Sequence, residues 1–265
     1  MKKTHKYIMD TQAIEDLKRA KQLLENPGLP ARISAAVGAP IEKAMEMLPA
    51  SVGNNLVKVT RSALTLASDA AIFTLRDTPG SASSNNLHRL GVAVTGGVGG
   101  FFGLGGLALE LPVSTTVMLR SIADIARSEG LSLADAQTQV DCLEVFALGG
   151  TNQDDDAVDS AYFAARYALG KSVSEAVQYL AQTSVVSRTA PAVVRLLSTI
   201  AQRFGVQVTQ KVAAQLVPAF GAVGGAVVNS IFIDHYQDMA RGHFIVRRLE
   251  NQYGEDIVRS TYLAL

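Results

Sequence analysis

Arg120, Asp124 and Arg127 fall at i, i+4 and i+7, a spacing that sets their side chains on one face of a helix. Glu110 stands just before Pro112, at what reads as the entrance to that helix. Glu144 sits in the otherwise apolar run CLEVFALGG at 142–150. An unpaired carboxylate there would be costly, so Glu144 is expected to face Arg120 or Arg127. A second polar set, Asp234, His235, Asp238, Arg241, His243 and Arg247, lies near the C-terminus. On a helix Asp234, Asp238 and Arg241 share a face, and His235 points about a hundred degrees away. Glu110, Arg120, Asp124, Arg127, Glu144, Asp234, Asp238 and Arg241 therefore form the candidate buried polar cluster. It would be either a ligand site or an ion-pair network that fixes helix register.

Other chemistries find little support. Asp234 and Asp238 with Glu144 or Glu110 could offer oxygen ligands from facing helices. Neither Glu-x-x-His nor His-Glu-x-x-His occurs, however, so no metal and no cofactor is expected. The acidic run 154–156 lacks EF-hand spacing and reads as a helix cap. Ser114, Thr115 and Thr116 follow Pro112 and read as helix-opening hydroxyls. Cys142 reads as a small hydrophobe, with no base beside it in sequence. No Gly-Lys-Ser/Thr follows the glycines, so they are not a phosphate-binding loop. No catalytic residue is assigned, and the balance leans away from an enzyme.

These side chains need elements to hold them, and the chain is organised around one unusual stretch. Between Arg89 and Glu110 there is no charge, yet glycine stands at 91, 96, 97, 99, 100, 103, 105 and 106. Each glycine costs a helix about 1 kcal/mol relative to alanine. Close approach of another helix, a lipid or a ligand is the usual physical return. Residues 212–233 form a second uncharged window, and Gly96/Gly100 and Gly221/Gly225 repeat the four-residue spacing that lets helix backbones meet. Each window is about long enough to cross a hydrocarbon core, but both are richer in glycine, alanine and valine than in leucine. They read either as core helices or as membrane segments.

The 24 basic and 24 acidic residues cancel, which argues against a nucleic-acid binder. With 48% hydrophobic residues the chain can bury a core, and its mean hydropathy is +0.19. The N-terminus is charged where a secretory signal needs an apolar run, and one cysteine cannot form an internal disulfide; both point to an intracellular protein.

Along the chain, Ile14, Leu17 and Leu24 mark an amphipathic helix over 11–25, capped by Asp10 or Thr11 and basic through Lys18, Arg19 and Lys21. Short helices follow from Pro30 to Gly38 and over 41–48. Ser51 is expected to cap a helix through residue 75, and 77–86 is the clearest loop. Further helices are expected over 133–148 with Ser132 as cap, 157–169, about 172–182, from Pro191 to 204 where Gly205 closes it, 206–216, and one long helix over 219–250. Period-two alternation is nearly absent. The expected fold is all-α, a multi-helix bundle with two glycine-rich hairpins and no significant sheet. Residues 1–50 would form an N-terminal amphipathic arm and 51–265 the main helical domain.

The runs GFFGLGGL at 100–107, ELPVSTTVMLRSIADIAR at 110–127 and CLEVFALGG at 142–150 resemble the EcsC family. So does residues 218–250, with its GAVGGA centre, Asn229 and the run ARGHFIVRRLE. That resemblance, over roughly residue 51 onward, implies a bacterial protein, cytoplasmic or peripheral to the membrane, and no established reaction or catalytic residue. With the glycine windows it leads to a non-enzymatic, membrane-associating protein on the inner face of the cell membrane. Lipid would meet Phe101, Phe102, Leu104 and Leu107 at one hairpin and Val217, Phe220, Val223 and Val227 at the other. The alternatives are a hydrolase-like enzyme or ligand-binding protein built on the polar cluster, and a soluble adaptor, homo-oligomer or binder of a membrane protein.

Overall fold

Ala13, Leu17, Ala20 and Leu24 recur at three- and four-residue steps, and all four are buried in α1 (Thr11–Glu25). Asp10 caps that helix, its Oδ1 accepting a hydrogen bond from the Ala13 N–H at 2.8 Å. The expected bounds and cap of this helix are the ones found. The computed structural model describes residues 9–25, 28–38, 40–46, 48, 50–72, 103–150, 160–182, 190–215 and 221–265. Every regular element among them is helical, with no strand, so the fold is all-α.

After α1 come α2 (Leu29–Val37), α3 (Ile41–Glu46), α4 (Ala50–Ile72) and α5 (Gly103–Ser128). Next is α6 (Ala136–Glu144), which tightens into a 3-10 turn (Val145–Ala147). The chain closes with α7 (Ala161–Gln182), α8 (Pro191–Gln215), α9 (Gly221–Tyr253) and α10 (Glu255–Ala264). Among the described residues no helix is long and apolar enough to cross a membrane. The glycine-rich hairpins expected around residues 90–109 and 212–233 lie largely outside the described residues, as do the 77–86 loop and the acidic run 154–156.

Three local stop signals prove not to stop helices. Pro112 lies inside α5 rather than ahead of it. The Ser114 and Thr116 hydroxyls donate back to the carbonyls of Leu111 and Pro112, at 3.2 and 2.8 Å, rather than capping a helix start. Gly205 is passed by α8 and buried there against α4, where a Cβ would stand 3.4 Å from Cγ2 of Val57. Gly170 is passed by α7, exposed and with nothing within 4 Å of a Cβ. At the other boundaries, α4 begins one residue before Ser51, and α6 begins after Asp135 rather than at Leu133, with the Ser132 hydroxyl accepting from the Ala134 N–H.

The long helix α9 is enclosed by its neighbours α1, α2, α5, α8 and α10. Phe232, Ile233, Tyr236, Phe244, Val246 and Leu249 on it are all buried. The rings of Phe146, Phe204, Phe232 and Tyr236 tie the 3-10 turn and α8 to α9, with neighbouring centroids 4.8–6.1 Å apart. On another side α1 lies directly against α9 at Gly242, where a Cβ would sit 2.6 Å from Leu24 Cγ and 3.1 Å from the Ala20 carbonyl oxygen. Arg248 of α9 then reaches Asp16 of α1 at 2.8 Å. Gly242→Val should therefore push α1 away and lower unfolding stability by about 1–3 kcal/mol, the range for overpacking. Urea denaturation measures this, and a variant as stable as the wild type would contradict the close contact.

Candidate functional site

Burial along most of a helix favours partners for its polar side chains, and α9 carries many such groups. The eight residues anticipated as one cluster fall into separate groups. Glu110 faces neither Arg120 nor Asp124: its Oε1 accepts from Lys211 Nζ of α8 at 2.6 Å and from Asn229 Nδ2 of α9 at 3.2 Å. Lys211 is wholly buried, with Nζ 5.2 Å from the centroid of the Phe232 ring. Asp124 pairs with Arg127 along α5 itself. Asp238 pairs with Arg32 of α2 at 2.7 Å and with Arg241 at 3.3 Å. Arg120 and Asp234 are half-buried, and Arg120 makes no ion pair among the described residues.

Glu144 does not meet Arg120 or Arg127. The end of α6 turns it towards α7 and α9, into a group that sequence spacing did not assemble. Arg166 of α7 forks onto Glu250 of α9, with Nη1 to Oε1 at 2.6 Å and Nη2 to Oε2 at 3.1 Å. Arg247 joins the same carboxylate at 3.0 Å through Nη1 and donates from Nε to Asp141 Oδ2 at 2.8 Å. Gln137 donates to the other oxygen of Asp141 at 2.7 Å. The Tyr162 hydroxyl lies 3.0 Å from Nδ1 of His243, whose Nε2 has no hydrogen-bond partner among the described residues. Glu144 is 4% exposed, and among the described residues it makes no hydrogen bond and no ion pair.

The electrostatics follow from this enclosure. Burial, and then the neighbouring Asp141, push the Glu144 carboxyl up to about 7, with Arg166 and Arg247 pulling against them. Burial also raises Asp141. It drives His243 well below its usual range, helped by Arg166 and Arg247, so the imidazole is neutral. Burial keeps Cys142 a protonated thiol, in keeping with its reading as a small hydrophobe. One donor atom each from Asp141, Glu144 and His243 lie within 4.8 Å of one another.

Glu144 also lines a cleft of about 1140 Å³ that runs beside α7. Arg166, Lys171, Arg203, Arg247 and Arg259 line it against Glu144 and Glu255. Sequence reasoning had Glu144 and noted His243 and Arg247, but missed Asp141, Arg166, Lys211 and Glu250. Two signals were available: Asp141 and Glu144 stand three apart on one helical face, and Lys211 is a lone charge beside an apolar window. Of the anticipated lipid contacts, Phe101, Phe102, Val217 and Phe220 lie outside the described residues, as do the side chains of Leu104, Leu107 and Val223. Val227 is 41% exposed on α9.

An all-α bundle with a charged cleft at the crossing of α6, α7 and α9 is the class these features define. The chain belongs to the EcsC protein family, whose match spans residues 2–249 and so takes in the N-terminal helices as well as the central runs. No curated protein and no solved structure matches it significantly.

The two buried charge groups make different demands on stability. Lys211→Met would leave Glu110 enclosed without its countercharge, and breaking such a pair costs about 3–5 kcal/mol. The double variant Lys211→Met/Glu110→Leu removes both charges and should regain most of that loss. A urea double-mutant cycle checks this, and a double variant as unstable as the single one would contradict it.

Proposed function

We propose that the protein binds a small anionic ligand with an apolar portion in the cleft beside α7. The supporting observation is the charge of the wall, five cations against two carboxylates. Guanidinium forks take phosphate or carboxylate oxygens in pairs. Phe163, Val173 and Val177 give the same cleft apolar surface for the rest of the molecule. Arg166 and Arg247 are held from behind by Glu250 and Asp141, so little side-chain freedom is lost when an anion arrives. Hexyl phosphate, titrated calorimetrically into the full chain, is expected to bind saturably while 1-hexanol does not. Lys171→Glu/Arg259→Glu changes only exposed positions and should weaken that binding at least about tenfold, or ~1.4 kcal/mol. No saturable binding, or an unchanged affinity in the double variant, would sink the reading.

Peripheral association with the inner face of the cell membrane is a second reading. It is supported by the uncharged windows 90–109 and 212–233. Val113 and Val227 add to it, 48% and 41% exposed on the two helices into which those windows run. In this reading Phe101, Phe102 and their neighbours meet lipid, and a membrane protein or a second copy of the chain would be the competing cover. Flotation with anionic liposomes is expected to carry the wild type upward and to leave Phe101→Asp/Phe102→Asp behind with its helical circular dichroism intact. A wild type that stays at the bottom with anionic and neutral liposomes alike ends it.

A further inference from the structure

Asp141 and Glu144 stand one helical turn apart on α6, and His243 faces them from α9. Their donor atoms lie within 4.8 Å of one another, and the three residues are 2%, 4% and 0% exposed. We propose that Asp141, Glu144 and a ring nitrogen of His243 bind one divalent transition-metal ion at the floor of the cleft. A triangle of that size needs each donor to move inward by about 0.6–0.8 Å to reach the ~2.0–2.2 Å of metal–nitrogen and metal–oxygen bonds.

Three further observations point to a ligand here rather than to a structural ion-pair network. Glu144 has no hydrogen bond or ion pair among the described residues, although it is almost wholly buried and opens onto the cleft. His243 has one ring nitrogen bonded to Tyr162 and the other without a partner among the described residues, the arrangement in which an outer partner fixes an imidazole while the remaining nitrogen ligates. Asp141 is oriented in the same way by Gln137 and Arg247, and each of its oxygens keeps a second lone pair. Asp141, Glu144 and Glu250 are three carboxylates against the two guanidiniums of Arg166 and Arg247, so the group carries one surplus negative charge when all three are ionised.

One imidazole and two carboxylates form a mixed donor set, suited to ions such as Zn²⁺, Fe²⁺ or Mn²⁺ more than to Ca²⁺. Three protein donors leave a coordination position open, and Glu144 places that opening on the cleft side. Familiar helical metal motifs do not flag this set, since the histidine comes from a helix about a hundred residues away from the Asp-x-x-Glu pair. The inference goes beyond the anion-binding reading, because the ion needs no anion in order to bind.

The test is titration of the chelator-treated, dialysed full chain with Co²⁺ alone, read by its visible absorption, followed by displacement with Zn²⁺. One equivalent is expected to bind. Glu144→Gln, nearly isosteric at a side chain without partners, should weaken it at least tenfold with an unchanged melting temperature, as should His243→Gln if that variant folds. Cys142→Ala should leave the site intact, which separates it from thiol ligation. No saturable binding by the wild type up to millimolar Co²⁺, or equal affinity in Glu144→Gln, overturns the proposal. Hexyl phosphate binding measured in the presence of chelator is independent of that outcome, so failure of one reading is distinguishable from failure of the other.

Discussion

The Glu250 carboxylate is gripped by two guanidiniums at once, and much of the cleft depends on that allocation. Arg166 spends its fork on Glu250, and Arg247 divides itself between Glu250 and Asp141. Both cations are thereby fixed in position, one projecting from α7 and the other from α9, which sets the spacing of those two helices at the cleft. The same allocation leaves Glu144 without an ion pair among the described residues. In bulk water that would matter little. Inside a bundle, where burial penalises the charged form, it leaves a carboxyl poised between its two protonation states.

Helix identity was largely legible in the sequence, and helix crossings were not. The apolar stripe and cap of α1 and the continuity of α9 follow from local periodicity, which a single segment carries by itself. Pro112, Gly170 and Gly205 misled because they punctuate a chain only when nothing else holds it. Val57 packed on Gly205, and the packing of α5 against α4, outweigh a preference of a few kcal/mol at most. Glu144 was rightly marked as a costly carboxylate in an apolar run. Its neighbours were misjudged because nearness along the chain favoured Arg120 and Arg127, whereas Arg166 and Arg247 arrive through the packing of α7 and α9. Lys211 escaped for a related reason: a lone lysine beside an apolar window looks like a helix edge until its enclosing helices are known.

Glycine serves close approach in this fold at positions that can be named. Gly242 lets α1 touch α9, and Gly149, with φ +71, lets the chain turn after the 3-10 segment where a Cβ would strike the His235 ring at 2.5 Å. Both contacts bear on the cleft indirectly. The first sets α1 against the helix that carries His243 and Arg247. The second fixes the exit of the segment that carries Asp141 and Glu144. That the family match begins near the first residue accords with α1 being packed onto the helix that bears half of these polar groups.

The contrast between the two buried carboxylates separates a structural group from a candidate site. Glu110 is closed: Lys211 and Asn229 satisfy it, Phe232 covers the lysine, and Lys211 has no exposure at all. Such a pair can set the register of α5, α8 and α9, but it presents no open valence to a ligand. Glu144 is the reverse, equally buried yet unpaired among the described residues, beside the His243 imidazole and on the wall of a cleft. Folding alone gives no reason to keep that arrangement, since an apolar residue of similar size would cost less there. A buried carboxylate that has no ion pair among the described residues and faces an opening is most economically explained by what it binds.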